Sequence, residues 1–122
     1  MILIVEDDPT LRMVTEKGLE HLGYDSVAVA TGEEAVKKNL AEISLILMDI
    51  GLPGMDGIDT TKLIREKEDK SGKTKRVPIV ALTAHSTKEQ CLSAGMDDFL
   101  QKPALISDLK RVADRWLKRT NE

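Results

Sequence analysis

Aromatic rings are almost missing from this sequence: one Trp, one Tyr and one Phe in 122 residues. A surface that stacks bases or a flavin on rings has little to work with. Cysteine is limited to Cys91, which excludes an internal disulfide and suits a reducing compartment. A single thiol in that setting is read as a small buried hydrophobe. No apolar run approaches the ~20 residues of a membrane span. The apolar start at residues 1–5 is short and has no basic flank before it, so no signal peptide pattern is present. Positive charge is not in excess either. The net charge is −3, and no basic field argues for nucleic acid. Linkers, repeats and low-complexity segments are also missing. The expectation is one domain over 1–122 with no output domain, working in the cytoplasm.

What is there is an alternation. With 41% hydrophobic residues, short apolar runs at 2–5, 25–30, 45–48, 77–82 and 98–101 read as strands. Between them lie helical patterns. Asp8-Pro9 is an N-cap followed by proline at the first helical position, ahead of Leu11, Val14, Gly18, Leu19 and Leu22 at helical spacing. Thr31 with Glu34 has the capping-box spacing, and a helix is expected from there to about Ala41. Asp56 caps a third helix through Ile58, Leu63 and Ile64, which is expected to dissolve into the charged run 68–76, a solvated loop. A short helix over 86–94 is stopped by Gly95. The last helix sets Leu105, Leu109, Val112, Trp116 and Leu117 on one face. Five strand–helix alternations imply an α/β fold, a doubly wound parallel sheet with helices on both faces.

The chain is organised around Leu45-Ile46-Leu47-Met48-Asp49. Four apolar residues run into one carboxylate, followed by a loop rich in Gly and Pro. Such a run is a strand buried on both faces, and ligands bind at the carboxyl ends of strands in open α/β sheets. The other strand ends supply Glu6 and Asp7, Thr83 and Lys102. Three carboxylates, a hydroxyl and an ammonium thus converge on one rim. Crowded carboxylates force a pKa upward or admit a cation, and oxygen-only donors select a hard one such as Mg2+. A carboxylate can attack phosphorus, with Lys102 and Thr83 serving the phosphoryl oxygens. Each residue taken singly has a plainer reading: Asp8 and Thr83 as caps, Lys102 as a surface lysine.

Val5-Glu6-Asp7-Asp8, the run from Met48 through Gly57, Ala81-Leu82-Thr83-Ala84 and Phe99-Leu100-Gln101-Lys102-Pro103 together resemble the receiver domain of two-component response regulators. The resemblance covers essentially the whole chain. It implies a flavodoxin-like α/β/α fold with strand order 2-1-3-4-5, and phosphorylation of Asp49 by a phosphohistidine on a histidine kinase or a histidine phosphotransfer domain. Matched residue by residue, it implies Asp7, Asp49 and the Gly51 carbonyl as magnesium ligands and Glu6 as a ligand through water. It implies Lys102 as the lysine of the site, Thr83 and Phe99 as a switch pair, and a cis bond between Lys102 and Pro103. Phe99 is otherwise an ordinary partly buried aromatic. Gly-Met-Asp-Asp-Phe-Leu and the long charged loop are similar to receivers of hybrid sensor kinases and phosphorelays. From Thr83 to Gly95 the chain is about three residues shorter than the family pattern, nearly one helical turn. Gly51 and His85 stand where the family tunes hydrolysis.

Three other functions compete. A flavodoxin-type carrier needs a phosphate loop where this chain has Glu6-Asp7-Asp8. A phosphatase of the aspartyl-phosphate kind carries a second Asp two residues after the first, where this chain has Gly51, so no enzymatic turnover is expected. A receiver-like module that binds partners without phosphorylation has no need of the complete acidic set, Thr83 and Lys102.

Overall fold

Each of the five apolar runs is a strand in the computed structural model, which describes residues 1–72, 76–84 and 88–117. Strands β1 (Ile2–Val5), β2 (Ser26–Val29), β3 (Leu45–Asp49), β4 (Ile79–Thr83) and β5 (Asp98–Gln101) form one sheet in the order β2-β1-β3-β4-β5. All neighbouring pairs are parallel. The helices are α1 (Pro9–His21), α2 (Gly32–Val36), α3 (Gly57–Ser71), α4 (Lys88–Ser93) and α5 (Ile106–Leu117). This is the three-layer, flavodoxin-like α/β/α arrangement.

The strands need two apolar faces because helices cover both. Leu3, Val5, Ile46, Met48, Ile79 and Ala81 point to one side, where they pack with Ala35, Ile64, Cys91 and Met96 from the α2, α3 and α4 layer. Ile2, Ile4, Leu45, Leu47, Val80 and Leu82 point to the other, against Leu19 of α1 and Leu109 and Val112 of α5. Alternation along a strand sets this division. Each fully buried aliphatic side chain contributes about 1.5–3 kcal/mol. Cys91 is buried in the first of these cores, and burial pushes its thiol pKa up.

Helix starts follow their caps. Asp8 accepts from the Thr10 and Leu11 N–H groups at 2.8 and 3.2 Å. Thr31 accepts from Glu34 N–H at 3.1 Å, while the Glu34 carboxylate reaches back to the Ala30 N–H at 3.1 Å. Asp56 accepts from Asp59 N–H at 2.8 Å.

Helix ends depart from expectation in two places. The second helix does not reach Ala41. It ends at Val36, and a separate 3-10 turn follows at Leu40–Glu42. Lys67 of α3 donates to the Val36 and Lys38 carbonyls at 2.6 and 2.7 Å, and Asn39 caps the turn at Ala41 N–H. The third helix does not dissolve at Glu68. It runs to Ser71 and closes at Gly72, whose φ of 70° is the left-handed cap conformation. The Glu68 side chain is largely buried because it accepts from Arg65 and from Val77 N–H, each at 2.8 Å. The second and fourth strands are also shifted slightly at their ends, to 26–29 and 79–83.

Three apolar residues assigned to buried stripes face solvent instead. Val14 and Leu63 are exposed, and Leu105 precedes α5 and is 62% exposed. Thr15 takes the buried place on α1, and Ala113 joins Leu109 and Val112 on α5. At the foot of the sheet, Arg65 binds the Gly95 carbonyl, Glu68, the Val77 carbonyl and Asp97 at 2.8–2.9 Å. Asp97 also accepts from Ile79 N–H at 2.9 Å. Among the described residues, α4 before Gly95 covers six, Lys88–Ser93. Its expected first residues, and His85, lie outside the described residues.

Candidate functional site

Register places the site. Val5 lies opposite Met48, so Glu6 and Asp49 leave the sheet side by side. Asp49 lies opposite Leu82 and Thr83 opposite Gln101, so Thr83 and Lys102 emerge on the same rim. Glu6 and Asp49 are each 2% exposed, and Thr83 is buried. Asp7 is exposed, one residue farther along the loop. Carboxylate oxygens of Glu6, Asp7 and Asp49 lie within 4.8 Å of one another.

Lys102 holds this cluster together. Its Nζ stands 2.9 Å from Asp49 Oδ1 and 3.3 Å from Glu6 Oε1. Burial alone would lower the pKa of this ammonium, but the Asp49 and Glu6 carboxylates reverse that, and the net direction is upward. Asp49 Oδ1 also accepts from the Gly51 N–H at 2.9 Å, an Asx-type turn that orients the carboxylate.

Glu6 behaves differently. Burial, reinforced by the hydrogen-bonded Asp49 carboxylate, pushes its carboxyl up to about 7, against the pull of the Asp8 N–H and Lys102. The Asp8 N–H donates to Glu6 Oε2 at 3.2 Å. One carboxyl of the trio is thus half-protonated near neutrality, which relieves part of the like-charge repulsion.

The switch candidates lie on neighbouring strands. Phe99 is partly buried against the α2, α3 and α4 core and pairs in register with Ala81, two residues before Thr83. Its N–H donates to Asp98 Oδ1 at 2.8 Å. Gly51 is exposed beside Asp49. The Lys102–Pro103 peptide is cis.

Two residues that the sequence reading passed over serve the site. A Cβ on Gly57 would collide with the Asp49 carbonyl oxygen and fall 2.9 Å from Ile50 Cα. The first residue of α3 therefore packs on the Asp49 backbone at a distance only glycine permits. Arg12 donates to the Glu6 carbonyl at 2.9 Å. Its place four residues after the Asp8 cap, one turn into α1 and back over the loop, was the available signal.

Chemically, the rim offers hard, anionic oxygen donors with one member open to solvent. That donor set suits Mg2+ and similar cations and is unsuited to softer metals. It also offers a carboxylate nucleophile with an ammonium already on its oxygen.

The family model described as "Response regulator receiver domain" matches residues 2–114. The chain is similar to the sensor protein GacS of Pseudomonas syringae pv. syringae, with 40% identity over 119 residues; the match covers 94% of this chain and 13% of that protein's length. The receiver domain of the sensor histidine kinase PA1611 from Pseudomonas aeruginosa PAO1, solved with a magnesium ion in its active site cleft, has a TM-score of 0.81 at 41% identity, covering 96% of both chains. A chain from the co-crystal of the Saccharomyces cerevisiae histidine phosphotransfer protein Ypd1 and the receiver domain of its response regulator Ssk1 has a TM-score of 0.83 at 31% identity, covering 94% of this chain and 86% of that one.

Proposed function

This chain belongs to the response regulator receiver family, and on that premise we propose that it accepts a phosphoryl group on Asp49 from a phosphohistidine and signals by the change that follows. The observation that carries the reading is the 2.9 Å contact between Lys102 and Asp49, inside a cluster of three carboxylates at the strand ends.

An Asp49 carboxylate oxygen attacks phosphorus in line. The O–P bond forms, the P–N bond of the donor breaks, and the imidazole leaves with the electron pair. Lys102 moves its charge to the phosphoryl oxygens, and the Thr83 hydroxyl donates to another. Asp7, Asp49 and the Gly51 carbonyl would hold Mg2+, with Glu6 reaching it through water; the all-oxygen donor set and the exposed Asp7 support that assignment. The bound ion supplies positive charge that lets a phosphoryl dianion approach an acidic rim. Thr83 drawn toward the phosphoryl group leaves space that Phe99 turns inward to fill, a two-state change biased by phosphate.

The chain acts as a signalling acceptor rather than a turnover enzyme, since Gly51 places no acid two residues after Asp49. Its partners are a histidine kinase or a histidine phosphotransfer protein, the latter by likeness to the Ypd1–Ssk1 pair. Hybrid signal transduction histidine kinases, to parts of which the chain is similar, give the context. The buried single thiol fits a cytoplasmic setting. Among the described residues no helix is long and apolar enough to cross a membrane.

Intact mass after treatment with a small phosphodonor tests the reading. One added phosphoryl group is expected in the presence of magnesium, and none without it or in Asp49→Asn. An absent adduct under all conditions would leave a module that binds partners without phosphorylation.

A further inference from the structure

Only three residues, Glu6, Asp7 and Asp8, join β1 to α1, and one residue holds the carbonyls of all three. The Arg12 backbone N–H donates to the Asp8 carbonyl at 2.9 Å. Its Nη1 donates to the Glu6 carbonyl at 2.9 Å and, at the limit of a hydrogen bond, to the Asp7 carbonyl at 3.5 Å. The side chains of the loop are fixed unequally. Glu6 is tied to Lys102 and the Asp8 N–H, and Asp8 is committed to capping α1. Among the described residues, no hydrogen bond or ion pair fixes the Asp7 carboxylate. Its place in the cluster depends on its backbone, and that backbone depends on Arg12.

We propose that Arg12 is the positioning residue of the acidic cluster, presetting Asp7 for a divalent cation by holding the loop carbonyls. The inference rests on the reading of Glu6, Asp7 and Asp49 as a cation site. It makes a prediction against simple electrostatics. Removing a guanidinium this close to three carboxylates strengthens cation binding if charge dominates and weakens it if placement dominates. Loss of a partner that orients metal ligands costs roughly 10–100-fold in affinity. Lysine keeps the charge but lacks the planar fork of donors, so it restores only part of the geometry.

Magnesium titration by calorimetry on wild type, Arg12→Gln and Arg12→Lys separates these cases. The expected result is a dissociation constant raised roughly tenfold in Arg12→Gln and less in Arg12→Lys, an effect of the size seen for metal-orienting partners. The phosphorylation rate should return to the wild-type level at saturating magnesium. Amide exchange at Asp7 and Asp8 in the metal-free protein should quicken in both variants, a readout independent of activity. Unchanged or tighter magnesium binding in Arg12→Gln overturns the proposal. So does a loss that saturating magnesium does not restore, which would mark Arg12 as a general support of the fold. If Arg12→Gln fails to fold, Arg12→Lys and its exchange rates decide alone. Absence of magnesium binding in the wild type would instead sink the cation-site reading beneath the proposal.

Discussion

The Lys102 N–H donates to the Thr83 carbonyl at 2.9 Å. Thr83 ends β4 and Lys102 follows the end of β5, and that bond joins their backbones at the rim where Lys102 meets Asp49. The end of β4 is thus tied to the end of β5, the strand that carries Phe99.

Stability should fall as the pH rises through neutrality, because the fold holds a proton on Glu6. Glu6 ionises near 4.5 in an unfolded chain and at about 7 in the fold. Between those values the folded state holds a proton that the unfolded state lacks. Its contribution to stability is full below 4.5 and is lost as the pH rises through 7. Urea unfolding of the metal-free protein is expected to show lower stability at about pH 8 than at about pH 6. Magnesium requires the ionised carboxylate, so its affinity should rise over the same range with release of a proton, measurable by calorimetry in buffers of different ionisation enthalpy.

Asp49→Asn separates the causes of that shift. The substitution keeps the shape and removes the neighbouring charge. The Glu6 carboxyl is expected to titrate below its present value, followed by its carboxyl carbon resonance. A titration still at about 7 would assign the whole shift to burial.

Arg65→Ala tests the foot of the sheet. The substitution leaves Glu68 without its cation and Asp97, also largely buried, with only the more exposed Arg76 at 3.2 Å. A stability loss of about 3–5 kcal/mol is expected from urea unfolding, the range for breaking one side of a buried pair. Arg65→Lys should recover little, because one ammonium cannot reproduce four directed bonds. Near-complete recovery would show that charge alone matters there.

Gly57→Ala places a methyl group where the Asp49 carbonyl stands. Overpacking of about 1–3 kcal/mol is expected, together with slower phosphorylation from a displaced Asp49. Wild-type rates with reduced stability would separate Asp49 placement from packing.

The fold was legible because strand runs, caps and strand-end residues are local signals. The parallel register that gathers Glu6, Asp49, Thr83 and Lys102 follows once each strand's carboxyl end is known. Long-range partners were not legible. Lys67 takes the Val36 and Lys38 carbonyls, where α2 stops, from 31 and 29 residues away. Arg65 and Val77 draw Glu68 out of solvent, so a charged run begins as helix rather than loop. Val14, Leu63 and Leu105 fit the apolar spacing but fall just outside the faces that the sheet covers. At the site, the side chains that present charge were readable by type. Gly57 and Arg12 were not, because both act on backbone atoms of other residues, and residue type does not announce that role.

Trp116 Nε1 donates to Asp98 Oδ2 at 3.0 Å, and Asp98 Oδ1 holds the Phe99 N–H. The one indole of the chain is thus wired to the strand of the switch candidate, with the Arg115 guanidinium 5.1 Å from its ring centre. The molecule carries its own optical gauge. Excitation selective for tryptophan reads a single environment, without label or engineered probe, and any slip of β5 against α5 changes both the hydrogen bond and the nearby charge that set its emission.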